Sequence, residues 1–307
     1  MSRLYEALKG ASRFRGSREG DDRLWEALDL TAMEVPSAQN ESQEPWEASS
    51  DAVNGNSEPS VMETDSPALR VQEIEPPEPE VALGTEVKAG LNRSTRLMPH
   101  AVTPGLVDYY RRLRTKILQQ QEAKPFRTLV VTSASPQEGK TLTVLNLALS
   151  FSTLPSFKVL VIDGDLRRGT LGGWLGVSDD QPGLSNLFDG SARLEDVVLK
   201  SDQIPMHFMV RGKAQVPDLH PSHFAGHFQR LSKNFDLVLI DSPPVNLLAD
   251  VQVLAANSDA VLLVARAFAT TRKSLEKAAQ ELAPFRVIGA VLNAGVTQSS
   301  GRYYGYY

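Results

Sequence analysis

The chain of 307 residues contains no cysteine. That excludes disulfides, thiolate nucleophiles and zinc or iron–sulfur sites built on cysteine, and it makes a reducing, cytoplasmic setting the default expectation. Long apolar runs are lacking as well. The most apolar stretch, AVLLVA at 260–265, is far shorter than the ~18–20 residues a membrane span requires, so the chain is not expected to cross a bilayer. The opening MSRLYEALKG carries charges where a secretory signal needs an apolar block, and it is not read as one. Tyrosine is absent from residue 111 to residue 302. Four of the seven tyrosines, Tyr303, Tyr304, Tyr306 and Tyr307, fall in the last five positions. A tail of sequence SSGRYYGYY cannot bury four rings, so these phenols are expected to be accessible.

What is present falls into two unlike parts. The net charge of −5 conceals 10 basic against 19 acidic side chains in residues 1–100, and 22 against 18 in residues 101–307. From Thr31 to Glu86 there are 13 acidic residues, one basic residue (Arg70) and seven prolines. Such a stretch buries too little apolar surface to offset its ordering entropy, and its like charges repel. It is read as a disordered linker, with 31–100 as the assigned range. Ahead of it, RLYEAL at 3–8 and RLWEAL at 23–28 repeat one short amphipathic turn. Residues 1–30 are therefore assigned as a short helical interaction segment that needs a partner to bury its stripe.

From about residue 104 apolar strands alternate with amphipathic helices. Strands are expected near 128–132, 158–162, 207–210, 237–240, 260–265 and 286–292. Helices are expected near 104–121, from the Gly-containing loop to about 154, and near 221–233, 246–256 and 271–283. Fully apolar strands between helices indicate a mostly parallel sheet covered on both faces. His220, His223 and His227 lack an acidic companion and are read as helix residues rather than metal ligands.

ASPQEGKT at 134–141 follows a strand and opens a helix. It matches the phosphate-loop spacing G-x4-G-K-[ST], with Ala134 in place of the first Gly. In such a loop Ser135, Pro136, Gln137, Glu138 and Gly139 wrap a phosphate, and all but Pro136, which lacks one, have a backbone N–H to offer it. Lys140 reaches its oxygens, Thr141 ligates Mg²⁺, and Leu142 continues the helix whose N-terminus favours the anion. VLVIDGDLRR at 159–168 ends a strand in Asp163 and Asp165, which as i and i+2 should share a direction. FDLVLIDSPP at 235–244 ends another in Asp241. Three carboxylates with the Thr141 hydroxyl make an oxygen-only set suited to Mg²⁺.

These motifs in this order, with GLSNLFDG at 183–190 and VIGAVLN at 287–293, resemble the bacterial tyrosine kinases of polysaccharide export, over about residues 104–307. The resemblance implies a phosphate-loop NTPase fold, with residues 101–298 as the kinase domain and 299–307 as a flexible tyrosine-rich tail. It implies ATP and Mg²⁺ as cofactors. Lys140 and Thr141 then belong to Walker A, Asp163 and Asp165 to Walker A′, and Asp241 to Walker B. Asp163, or Asp165 in its place, is the expected proton acceptor, and Asn293 the expected adenine contact. The tail tyrosines are the expected phosphoacceptors. The family's ring-forming helix motif E-x2-R-x2-R corresponds to Asp108, Arg111 and Arg114, with Asp for Glu.

By the same resemblance the implied partners are further copies of the chain in a ring, a separate membrane activator or polysaccharide co-polymerase, and a tyrosine phosphatase. No nucleic acid is expected. The expected location is the cytoplasm, with recruitment to the inner membrane face through a partner. Departures from the family pattern are Gly169, where Pro is frequent, and Gln137, where Gly is frequent. Two rival functions remain open: a positioning ATPase, although Ser135 stands where such proteins carry a second Lys, and a non-catalytic ATP-binding regulator.

Overall fold

TLVVTS, VLVID, LVLID and AVLLVAR form the centre of one eight-stranded sheet in the computed structural model, which describes residues 83–91, 94, 97–98, 105–178, 180–213 and 224–294. The strands are β1 (Thr85–Val87), β2 (Thr128–Ser133), β3 (Val159–Asp163), β4 (Leu199–Ser201), β5 (His207–Met209), β6 (Leu237–Asp241), β7 (Ala260–Arg266) and β8 (Val287–Asn293). Their order across the sheet is β1-β4-β5-β3-β6-β2-β7-β8. Every pairing is parallel except β4 with β5.

The two-residue period of each strand sorts its side chains into two cores. Leu129, Val131, Val159, Val161, Leu237 and Leu239 face one side. There they pack with Tyr110 and Ile117 of α1 (Leu106–Ala123) and with Leu145 and Phe151 of α2 (Lys140–Ser152). Val130, Leu160, Ile162, Val238 and Ile240 face the other side. Their partners include Phe228 and Leu231, Leu254, and Ala278. Those residues belong to α6 (Ala225–Asn234), α7 (Asp250–Ala256) and α8 (Arg272–Glu281). Three short helices, α3 (Leu171–Leu175), α4 (Leu184–Phe188) and α5 (Leu194–Val197), fill the β3–β4 connection. Helices thus cover both faces, the arrangement that lets parallel strands be apolar throughout.

The N-terminal boundary differs from the sequence reading. The linker assigned to 31–100 gives way by Leu83 to structure: β1 pairs in parallel with β4, Ala89 N–H donates to Asp202 Oδ1 at 3.0 Å, and Ser201 Oγ donates to the Ala89 carbonyl at 2.6 Å. Ala89 and Leu97 are buried, and Met98 N–H donates to Asn146 Oδ1 of α2 at 2.8 Å. The folded unit therefore includes residues ahead of 101. The proposed helical pair in 1–30, the acidic stretch through 82, His220, His223 and the tyrosine tail lie outside the described residues. No helix among the described residues is long and apolar enough to cross a membrane.

Candidate active site

Because β2, β3 and β6 are parallel neighbours, their C-terminal ends open on one edge of the sheet, where ligands bind in open α/β folds. The loop Ala134–Gly139 leaves β2 there and α2 begins at Lys140. Gly139 adopts φ 94, and a Cβ at that position would lie 2.0 Å from Asn293 Nδ2. Only glycine fits. Gln137 also has a left-handed φ, of 61, which accounts for glycine being frequent at that place in the resembling family.

Lys140 is 9 % exposed at the first turn of α2. Burial lowers its pKa, while Asp241, Asp165 and Glu138 push in the opposite direction. Thr141 Oγ1 donates to Asp241 Oδ2 at 2.5 Å. Asp163 and Asp241 are register partners at the ends of β3 and β6, and they are 1 % and 2 % exposed. Asp163 Oδ2 accepts the Leu171 N–H at 3.0 Å. The other oxygen of each carboxylate, Asp163 Oδ1 and Asp241 Oδ1, is buried without a partner. Burial, reinforced by the Asp241 charge, pushes Asp163 up to about 8, and burial raises Asp241 to about 6. Two orphaned carboxylate oxygens beside a hydroxyl are an arrangement that a hard divalent cation satisfies, so the donor set fits Mg²⁺.

Three of the expected residues make contacts the sequence did not indicate. Asp165 is not aligned with Asp163 by strand alternation, because the strand ends at Asp163 and Gly164 turns the chain, but its charge still acts on Lys140, Asp163 and Asp241. Asp165 Oδ1 accepts the N–H groups of Arg167 and Arg168, at 3.3 and 2.9 Å. Among the described residues no three acidic or histidine side chains gather as a metal-holding group. Asn293, expected at adenine, uses its amide on the protein: Nδ2 donates to the Glu138 carbonyl at 3.2 Å and Oδ1 accepts the Ala294 N–H at 3.0 Å. In the expected assembly motif, Asp108 and Arg111 do form an exposed pair at 3.5 Å. Arg114 instead docks within its own chain, on the Ser150 carbonyl and on Thr153 Oγ1 at 2.7 Å, capping the C-terminal end of α2.

Gly169 has a local reason. A Cβ there would lie 2.6 Å from Asp163 Oδ2, so the backbone itself packs against the carboxylate. The sequence reading missed the polar contacts behind the loop. Glu138 is 3 % exposed and accepts the Ser135 N–H at 3.1 Å and the Thr270 hydroxyl at 2.5 Å. A carboxylate inside an anion-binding loop was the available signal, since its charge needs partners of its own. Ser135 Oγ lies 3.2 Å from Ser274 Oγ of α8.

A phosphate loop with two strand-end carboxylates on a parallel sheet defines a phosphate-loop enzyme of the nucleotide-dependent kind. No family model matches the chain. Among curated proteins it is similar to the tyrosine-protein kinase CpsD of Streptococcus agalactiae, 31 % identical over 209 residues, 65 % of this chain and 89 % of that protein. It is also similar to the putative tyrosine-protein kinase CapB of Staphylococcus aureus, 28 % identical over 64 % of this chain and 88 % of that protein. Among solved structures, the kinase domain of the Escherichia coli tyrosine kinase ETK aligns with a TM-score of 0.58 at 30 % identity, covering 66 % of this chain and 80 % of that one. The VpsO kinase domain aligns at 0.56 and 30 %, covering 61 % and 95 %. The chain belongs to the bacterial tyrosine kinase family.

Proposed function

We propose that the chain transfers the γ-phosphoryl group of ATP to tyrosines of its own C-terminal tail, presented by a neighbouring subunit, and so regulates polymerisation and export of a capsular or extracellular polysaccharide. The observation that carries this reading is the pairing of a phosphate loop bearing buried Lys140 with the two unpartnered strand-end carboxylate oxygens of Asp163 and Asp241.

In this reading the N–H groups of Gln137, Glu138 and Gly139 and the N-terminus of α2 hold the β-phosphate, while the Ser135 N–H stays on the Glu138 carboxylate, and the Lys140 ammonium balances charge on the transferring group. Thr141, Asp163 and Asp241 would hold Mg²⁺, which supplies charge neutralisation at the phosphate oxygens when bound. The tyrosine Oη attacks the γ-phosphorus, the bond to the β–γ bridging oxygen breaks, and ADP leaves. Asp163 accepts the phenolic proton.

Ala294, the last described residue, follows Asn293, whose amide touches the phosphate loop. Tyr303 lies nine residues further on, a distance the chain can span to about 30 Å when extended. Reach alone therefore permits transfer to the chain's own tail as well as to a neighbour's. Exposed Asp108 and Arg111 support an assembly role for that part of α1, with Arg114 serving the fold. The further partners proposed are a membrane activator, which would recruit the chain to the inner membrane face, and a phosphatase that resets the tail.

Mixing tests the reading. An active chain lacking residues 301–307 is combined with a full-length Lys140→Met chain and Mg-ATP. Phosphotyrosine on the Lys140→Met tail is the expected result. Phosphate release without tyrosine labelling would instead indicate a positioning ATPase.

A further inference from the structure

The phosphate loop is held from behind by a set of contacts that the transfer chemistry does not use. Glu138 is acidic, nearly fully buried and sits in the loop that receives a polyanion. Both of its oxygens are occupied: Oε2 by the Ser135 N–H at 3.1 Å and Oε1 by the Thr270 hydroxyl at 2.5 Å. Thr270 belongs to the β7–α8 connection. Its Oγ1 is fixed in turn by the Arg266 N–H at 2.8 Å, and the Arg266 guanidinium donates to the Gln137 carbonyl at 3.2 Å. Asn293, the register partner of Arg266, donates to the Glu138 carbonyl at 3.2 Å. The segment so gripped includes Gln137, at φ 61, a conformation an L-residue adopts at a cost.

We propose that Glu138 and Thr270 are positioning residues for the nucleotide: the Glu138 carboxylate, clamped by the Thr270 hydroxyl, holds the phosphate loop in its binding conformation before ATP arrives. The proposal rests on the reading of 134–141 as the nucleotide site. Its physical content is preorganisation. Without the clamp the carboxylate that orients the Ser135 amide is no longer fixed by the Thr270 hydroxyl, and the binding-competent loop becomes a smaller fraction of the folded molecules. Apparent affinity then falls by that fraction, while turnover by the loaded enzyme is largely preserved.

The experiment uses the full chain and titrates a fluorescent ATP analogue with Mg²⁺, alongside tail labelling at saturating ATP and melting of the nucleotide-free protein. Thr270→Val keeps the side chain's shape and removes the hydroxyl; Thr270→Ser keeps the hydroxyl. Thr270→Val should bind the analogue about tenfold more weakly, with turnover at saturation within about threefold of the parent. Thr270→Ser should restore the affinity. A Thr270→Val protein that melts at a lower temperature but binds the analogue like the parent overturns the proposal, because a purely structural contact predicts that pattern. Should Thr270→Val not fold, Glu138→Ala, which removes both contacts, serves, with weaker analogue binding supporting the clamp and parental binding refuting it. Lys140→Met separates the two levels of argument. If it labels tails normally, or if the parent binds no analogue, the nucleotide reading fails and the clamp with it. If Lys140→Met is inactive while Thr270→Val binds like the parent, the clamp alone fails.

Discussion

Replacing Asp163 by Asn should abolish phosphoryl transfer and yet stabilise the nucleotide-free, magnesium-free protein. Asp163 is 1 % exposed, one of its oxygens has no partner, and Asp241 faces it across the β3–β6 pair. Burial, with the Asp241 charge added, pushes its pKa from 3.8 up to about 8. A carboxyl whose folded pKa lies above its unfolded value is most compatible with folding below the unfolded pKa, and it loses stability as pH rises toward the folded one. At pH 7.5 a shift of this direction and size corresponds to a penalty of a few kcal/mol, at about 1.4 kcal/mol per pH unit. Water entry and relaxation of the site reduce the expected gain from a neutral Asn to about 1–3 kcal/mol, or roughly 3–10 °C in melting temperature for a domain of this size. Asn can still accept the Leu171 N–H that Asp163 Oδ2 receives at 3.0 Å. Differential scanning calorimetry with a chelator present, from about pH 5 to pH 8, measures the effect. The gain should shrink steadily toward pH 5, and added Mg²⁺ should stabilise the parent more than the variant. An Asn variant no more stable than the parent at pH 7.5, or a gain that does not change with pH, would refute the reasoning.

Other outcomes follow from single contacts. Arg114→Ala removes the cap on the Ser150 carbonyl and should cost about 1–2 kcal/mol in urea unfolding, whereas Arg111→Ala breaks only an exposed pair and should change stability by less than about 0.5 kcal/mol. If Arg111 serves assembly, its variant should instead shift the oligomer distribution in analytical ultracentrifugation. Gln137→Gly relieves the left-handed turn at φ 61 and should leave melting unchanged or raise it by up to about 1 kcal/mol in stability; Gln137→Val should lower it. A chain shortened to begin at 104 loses β1 and the buried Leu97, a loss of at least about 2–3 kcal/mol from the leucine alone.

The central sheet was legible because its strands are apolar on both faces, as covered parallel strands must be, and the observed ends differ from those read in the sequence by a residue or so. TLVVTS, VLVID and LVLID also place their C-terminal groups where the topology opens, so Lys140, Thr141, Asp163 and Asp241 could be assembled from order and spacing. β1 and β4 were not legible. Each has three residues, too few to show a period, and TEV lies at the end of an acidic run whose composition points to disorder. The alternation argument for Asp165 fails because alternation holds only while the strand lasts, and the strand ends at Asp163. The roles of Arg114, Asn293 and Glu138 depend on partners 36, 155 and 132 positions away, and no local pattern encodes such distances.

Mass spectrometry of the full chain incubated with Mg-ATP, beside its Lys140→Met counterpart, tests the central claim most directly. The account predicts phosphate on Tyr303, Tyr304, Tyr306 or Tyr307 of the parent and none on the variant. ATP consumed by the parent with all four tyrosines unmodified would contradict it.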